Sequence, residues 1–147
     1  MNSSKPTLAI GSDHAGFDLK SRLLSHLLEN GYAVHDYGAF GPDRVDYPDV
    51  AKALAQAVAA HRFDFGILIC GSGQGVNITA NKVRGIRSAL VWSPEIAALS
   101  RAHNNANILA LPGRFLDVQQ GILCVEAFLS TAFEAGRHAD RIDKIED

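Results

Sequence analysis

Short apolar runs alternate along the chain with longer stretches in which apolar positions recur every three or four residues. The runs are Thr7-Leu8-Ala9-Ile10-Gly11, residues 32–37, Phe65-Gly66-Ile67-Leu68-Ile69, Ser88-Ala89-Leu90-Val91 and residues 108–111, and each predicts a strand. Between them, Phe17–Glu29 predicts a helix with Leu19, Leu23, Leu24, Leu27 and Leu28 on one face, stopped by Asn30-Gly31. An alanine-rich helix is expected over residues 50–60, with Asp46 as its cap and Pro48 in its first turn. A short helix follows at 76–82, another opens at Ser93-Pro94-Glu95 and runs through Arg101, and a longer one spans 118–133 with Cys124 inside it. Residues 136–147 are charged and predicted helical. Strands alternating with helices predict a parallel sheet covered on both faces. The expectation is a single three-layer α/β/α, Rossmann-like domain over residues 1–147, with a five-stranded parallel sheet and residues 65–69 as its central strand.

Composition narrows the function classes. At 147 residues and 47% hydrophobic, the chain can bury a core without a metal or disulfide staple. A net charge of −2 gives no general attraction to nucleic acid or anionic lipid, so any phosphate must be held by a local cluster. The two cysteines form no C-x-x-C pair, which argues against a zinc ribbon or dithiol motif. No apolar stretch approaches the ~20 residues of a membrane span, and the polar start does not read as a signal peptide. A cytoplasmic protein without metal or cofactor, acting on neither nucleic acid nor membrane, is expected.

In open parallel sheets, ligands sit beyond the carboxyl ends of the strands where the strand order reverses. The turn Cys70-Gly71-Ser72-Gly73-Gln74-Gly75 lies at such an end. Its glycines let backbone approach a ligand, and a helix starting there would favour an anion and lower the pKa of Cys70. A buried, inert cysteine is the competing explanation on these residues alone. The turn lacks the lysine of a P-loop, and Gly11 to Gly16 lacks the middle glycine of a dinucleotide fingerprint. Ser12-Asp13-His14-Ala15-Gly16 offers a capping carboxylate and a loop histidine. Arg101-Ala102-His103-Asn104-Asn105 offers an imidazole for acid–base work, or simply C-terminal capping. Arg137 and Arg141, one helical turn apart, suit a phosphate or a solvated face. Together, a thiol base, a histidine, an anion-holding turn and paired arginines are parts suited to enolising a phosphorylated sugar.

These residues also carry a resemblance. Gly11-Ser12-Asp13-His14-Ala15-Gly16-Phe17, Asp46-Tyr47-Pro48, Cys70-Gly71-Ser72-Gly73, Ala80-Asn81-Lys82, Gly85-Ile86-Arg87, Arg101-Ala102-His103-Asn104 and Gly136-Arg137-His138 resemble the type B ribose-5-phosphate isomerases, grouped with galactose- and allose-6-phosphate isomerases. The resemblance runs from about Leu8 to Arg141. It implies a cofactor-free aldose–ketose isomerisation through a cis-enediolate, on ribose 5-phosphate or alternatively on a six-carbon 6-phosphate. A nonenzymatic sugar-phosphate or nucleotide-binding module is the reading from another class. By the resemblance Cys70 is the base, and Ser72, where many relatives carry threonine, helps at the sugar oxygens. The amides from Gly71 through Gly73 to Gly75 form the anion hole. His103 opens the furanose ring with Asp13 as helper, Asn104 and Tyr47 contact substrate, and His14, Arg114, Arg137 and Arg141 bind phosphate. Some relatives replace the cysteine by a glutamate beyond the glycine turn; Val76 and Asn77 stand there in this chain. The resemblance further implies a homodimer or homotetramer with composite sites, the tail over about 134–147 packing on a partner subunit.

Overall fold

The computed structural model describes residues 5–146. Five strands alternate with helices: β1 (Leu8–Ser12), α1 (Phe17–Glu29), β2 (Val34–Asp36), α2 (Tyr47–Ala59), β3 (Phe65–Cys70), α3 (Gln74–Asn81), β4 (Ser88–Leu90), α4 (Pro94–Asn104), β5 (Ile108–Pro112), α5 (Val118–Ser130) and α6 (Arg137–Ile145). All strand pairs are parallel and the order is β2-β1-β3-β5-β4, so β3 is central. This is the α/β/α, Rossmann-like sheet that the alternation predicts.

Because successive side chains of a strand point to opposite faces, β1, β3 and β5 each feed two cores. Leu8, Ile10, Ile67, Ile69, Leu109 and Leu111 pack with Leu23 and Leu27 of α1 and Val125 and Phe128 of α5. Ala9, Leu68, Cys70, Ile108 and Ala110 face Val50, Ala51 and Leu54 of α2 and Val76 and Ala80 of α3. The three inner strands are buried along almost their whole length, which is why they read as continuous apolar runs.

Several boundaries move for identifiable reasons. Strand β2 shrinks to three residues at the sheet edge, where only β1 pairs with it. Helix α2 starts at Tyr47, directly after Asp46, but the Asp46 carboxylate makes no capping bond. Ser93 does cap α4, its Oγ accepting from the Ile96 amide at 3.3 Å. Helix α4 continues past Arg101 to Asn104 and is stopped by Asn105 in the left-handed region. Helix α5 ends at Ser130 instead of 133, and the Glu134 amide then donates to the Ala102 carbonyl at 3.0 Å. Leu28, placed on the apolar face of α1 by its spacing, is 54% exposed. The tail helix α6 packs on α4.

Candidate active site

The order β2-β1-β3-β5-β4 reverses direction between β1 and β3, so the loops after these strands flank one crevice. Strand β3 ends there with Cys70, 4% exposed. The chain then turns through Gly71, Ser72 and Gly73, and α3 begins at Gln74. Gly73 sits at φ 75°, and a Cβ there would lie 2.5 Å from Leu90 Cδ1 and 3.0 Å from the Leu111 carbonyl carbon. Conformation and space both demand glycine at this corner. The first turn of α3 leaves backbone N–H groups without intrahelical partners at the positive end of the helix. Ser72 Oγ accepts one of them, from Gln74 at 3.2 Å.

Neighbouring loops are tied to this turn by main-chain bonds. The Gly113 amide donates to the Cys70 carbonyl at 2.8 Å and the Arg114 amide to the Gly71 carbonyl at 3.0 Å. Arg114 therefore lies over Gly71, where a Cβ would meet its Nη1 at 3.3 Å. On the other side, the Asp13 amide donates to the Ile69 carbonyl at 3.3 Å, and the buried Asp13 carboxylate accepts from the Gly16 amide at 3.0 Å. The capping role expected of Asp13 is thus real, though it serves the turn before α1, whose own cap is Gly16. Tyr47 reaches in from α2 with its ring against Gly75, 2.5 Å from where a Cβ would stand. His14 is exposed, and its Nδ1 lies 3.3 Å from both the amide nitrogen and the carbonyl oxygen of Val45. Cys70, Ser72, the glycine turn, Asp13, Tyr47, Arg114 and His14 thus share the carboxyl edge.

Lys20 holds the start of the loop that carries His14's partner Val45 and leads into α2 at Tyr47. It is 1% exposed, pairs with Asp36 at 2.8 Å and donates to the Ala39 carbonyl. The Ser12 amide donates to the Gly38 carbonyl and the Ala39 amide returns to the Ser12 carbonyl, each at 2.7 Å. The helical pattern of α1 gives no hint of a buried lysine; only its distant partner in β2 explains one.

His103, Asn104, Arg137 and Arg141 lie elsewhere. Helix α4 runs back from β4 and ends next to the start of β5, so His103 and Asn104 sit at the amino edge of the sheet. Five residues of β5 at about 3.3 Å per step separate that edge from Pro112, the register partner of Cys70, by roughly 13 Å. Arg101 anchors this end, donating to Asn105 Oδ1 at 2.8 Å and the Ala106 carbonyl at 2.7 Å while lying over the Phe65 ring. Burial, then the charge of Arg87, lowers its pKa. A cavity of about 560 Å³ lined in part by Arg84, Arg87 and Asn104 also opens here, remote from Cys70. The imidazoles of His103 and His138 stack with centroids 4.3 Å apart and planes 13° from parallel. Glu134 Oε1 lies 3.8 Å from His103 Nε2 and 3.7 Å from His138 Nε2. These three residues have the composition of a metal site. Near-parallel rings, however, aim their in-plane lone pairs side by side and not at one point. Burial, then the positive neighbours His103, Arg137 and Arg141 acting against Glu134, hold His138 below the ordinary histidine value. Neither Glu134 nor His138 carries a local spacing signal for this cluster, because the stack joins two helices far apart in the sequence. The second thiol, Cys124, is fully buried on α5, and desolvation pushes it up to about 11.

Comparison with known proteins adds a second line. A family model described as Ribose/Galactose Isomerase matches residues 8–145. Ribose-5-phosphate isomerase B of Escherichia coli (strain K12) is 44% identical over 138 residues, spanning 94% of this chain and 93% of the relative. A probable ribose-5-phosphate isomerase B of Mycoplasma pneumoniae is 46% identical, spanning 92% and 90%. Among solved structures, a ribose 5-phosphate isomerase from Thermotoga maritima superimposes with a TM-score of 0.95 at 48% identity, over 97% of this chain and 99% of that one. Ribose-5-phosphate isomerase B from Mycoplasma genitalium, crystallised with bound ribulose-5-phosphate, superimposes with a TM-score of 0.90 at 45% identity, over 95% and 93%.

Proposed function

The chain belongs to the Ribose/Galactose Isomerase family, and from that premise we propose that it interconverts ribose 5-phosphate and ribulose 5-phosphate, with Cys70 as the base. The observation that carries this reading is the Cys70 turn. A thiol ends the central strand at the switch point, a glycine turn and a helix N-terminus follow it directly, and Arg114 lies against Gly71, Tyr47 against Gly75 and the Asp13 amide on the Ile69 carbonyl.

In the open-chain aldose, the Cys70 thiolate removes the proton from C2 and the electron pair moves onto the C1 oxygen, giving a cis-enediolate. Returning that proton to C1, while the C2 hydroxyl gives up its own, yields the ketose. The amides of Gly71, Gly73 and Gly75 face the developing oxyanion. Ser72 relays protons between the two oxygens, and Tyr47 bears on the sugar. Ring opening falls to His103, helped by Asp13, with Asn104 beside it. His14, Arg114, Arg137 and Arg141 hold the phosphate by charge-assisted hydrogen bonds. None of these steps calls on a metal or cofactor.

His103, Asn104, Arg137 and Arg141 stand at the opposite sheet edge from Cys70. They can serve a sugar above Cys70 only from a second copy of the chain, so the working enzyme is a homodimer, or a tetramer of such dimers, with composite sites. Purified protein should convert ribose 5-phosphate without added metal, and kcat/KM should be higher for it than for allose or galactose 6-phosphate. No turnover of the pentose phosphate would overturn the proposal, and a preference for a six-carbon substrate would reassign the sugar.

A further inference from the structure

The stacked histidines at the end of α4 point to a role for a residue that the proposed reaction has not used. If His103 opens the sugar ring, its imidazole plane must be set, because a proton passes along the in-plane direction of a ring nitrogen. Yet His103 lies in the last turn of a helix with its side chain about two-fifths exposed, and among the described residues no hydrogen bond reaches its ring. Two contacts restrain it. One is the carboxylate of Glu134, at 3.8 Å; the other is the flat face of His138, with centroids 4.3 Å apart.

His138 is itself well fixed. It is 8% exposed, sits in the first turn of α6, and its amide donates to the Ala135 carbonyl at 3.2 Å. The segment before it is pinned to α4 by the Glu134 amide on the Ala102 carbonyl. A buried aromatic plate thus lies against the half-exposed His103 ring, while one carboxylate approaches both Nε2 atoms. Burial first, then the charges of His103, Arg137 and Arg141 acting against Glu134, favour the neutral form of His138, so the plate does not repel a protonated His103.

We propose that His138 is a positioning residue for ring opening, its stacked face setting the plane of the His103 imidazole. This rests on the reading of His103 as the ring-opening residue. The two substrates separate the step from the rest of the reaction. Ribose 5-phosphate closes a furanose through O4, whereas in ribulose 5-phosphate the oxygen that would close a five-membered ring carries the phosphate, so it stays open-chain. Exchange of its C1 proton with deuterated solvent needs the base and the phosphate grip but no ring opening.

The test measures, for His138→Ala, His138→Phe and His103→Ala, both ribose 5-phosphate turnover and C1 exchange into saturating ribulose 5-phosphate. A misplaced acid–base group costs up to about 100-fold, so His138→Ala should lose about 10- to 100-fold in kcat on ribose 5-phosphate while exchange stays within about threefold. His138→Phe, which keeps a flat ring at the stack, should recover most of the lost turnover. Wild-type turnover in His138→Ala, equal loss of turnover and exchange, or a Phe variant as poor as the Ala variant would each overturn the proposal. His103→Ala must show the same split between turnover and exchange. If it turns over ribose 5-phosphate normally, the ring-opening reading itself fails; if it alone shows the split, only the role of His138 does.

Discussion

The two thiols carry the same chemistry in different settings. Cys124 is fully enclosed between α5 and the sheet, and burial alone pushes its pKa up to about 11, so at neutral pH it stays a protonated, unreactive thiol. Cys70, itself nearly buried, ends a strand directly before a turn whose Ser72 and Gln74 are exposed. Iodoacetamide at neutral pH should therefore label Cys70 and spare Cys124, with activity falling in step with labelling and ribose 5-phosphate slowing both. Peptide mass mapping checks this; labelling of Cys124, or full activity in protein labelled at Cys70, would contradict it. Seen in the sequence alone, Cys70 was as easily a core filler as a base, because burial and neighbouring backbone direction are not written in residue identity.

Elements set how much a glycine matters. At Gly73 an added Cβ meets main chain as well as Leu90, and the left-handed φ costs a non-glycine residue about 1–2 kcal/mol on its own. At Gly75 the nearest atoms it meets belong to the Tyr47 ring, a side chain that is 40% exposed. Gly73→Ala should lower thermal stability and activity together. Gly75→Ala should keep the melting temperature near wild type and raise KM by displacing Tyr47. Melting curves with steady-state kinetics separate the two; the reverse pattern would show that the turn is read wrongly. The strands and helices themselves were legible because β1, β3 and β5 are buried on both faces and α1 keeps a strict apolar spacing. What the pattern missed was set at longer range. Leu28 is exposed because α1's buried stripe runs through Leu23 and Leu27, and Lys20 is buried because Asp36 and Ala39 receive its charge. The end of α5 was misplaced because 131–136 leaves the helix to meet α4 at Ala102.

At the scale of the whole molecule, the sheet separates the proposed machinery into two sets. Cys70, Ser72, Asp13, His14, Tyr47 and Arg114 lie at the carboxyl edge, and His103, Asn104, Arg137 and Arg141 near the amino edge. The motifs were visible in the sequence, but their separation came only from the direction of α4. Composite sites make a complementation prediction. Cys70→Ala and His103→Ala proteins should each be nearly inactive on ribose 5-phosphate. Refolded together, random pairing into dimers gives half mixed species with one intact site in two, so about one quarter of wild-type activity should return. No recovery, with mixed dimers shown to form, would contradict a site shared between copies.

The identity of the base is tested most directly by following the C1 proton of ribulose 5-phosphate in deuterated solvent with wild-type and Cys70→Ala protein. Loss of one general base typically costs about 10²–10⁴-fold, so exchange and isomerisation should fall together by that factor in the variant, with circular dichroism unchanged. Exchange at the wild-type rate in Cys70→Ala would show that another group moves the proton.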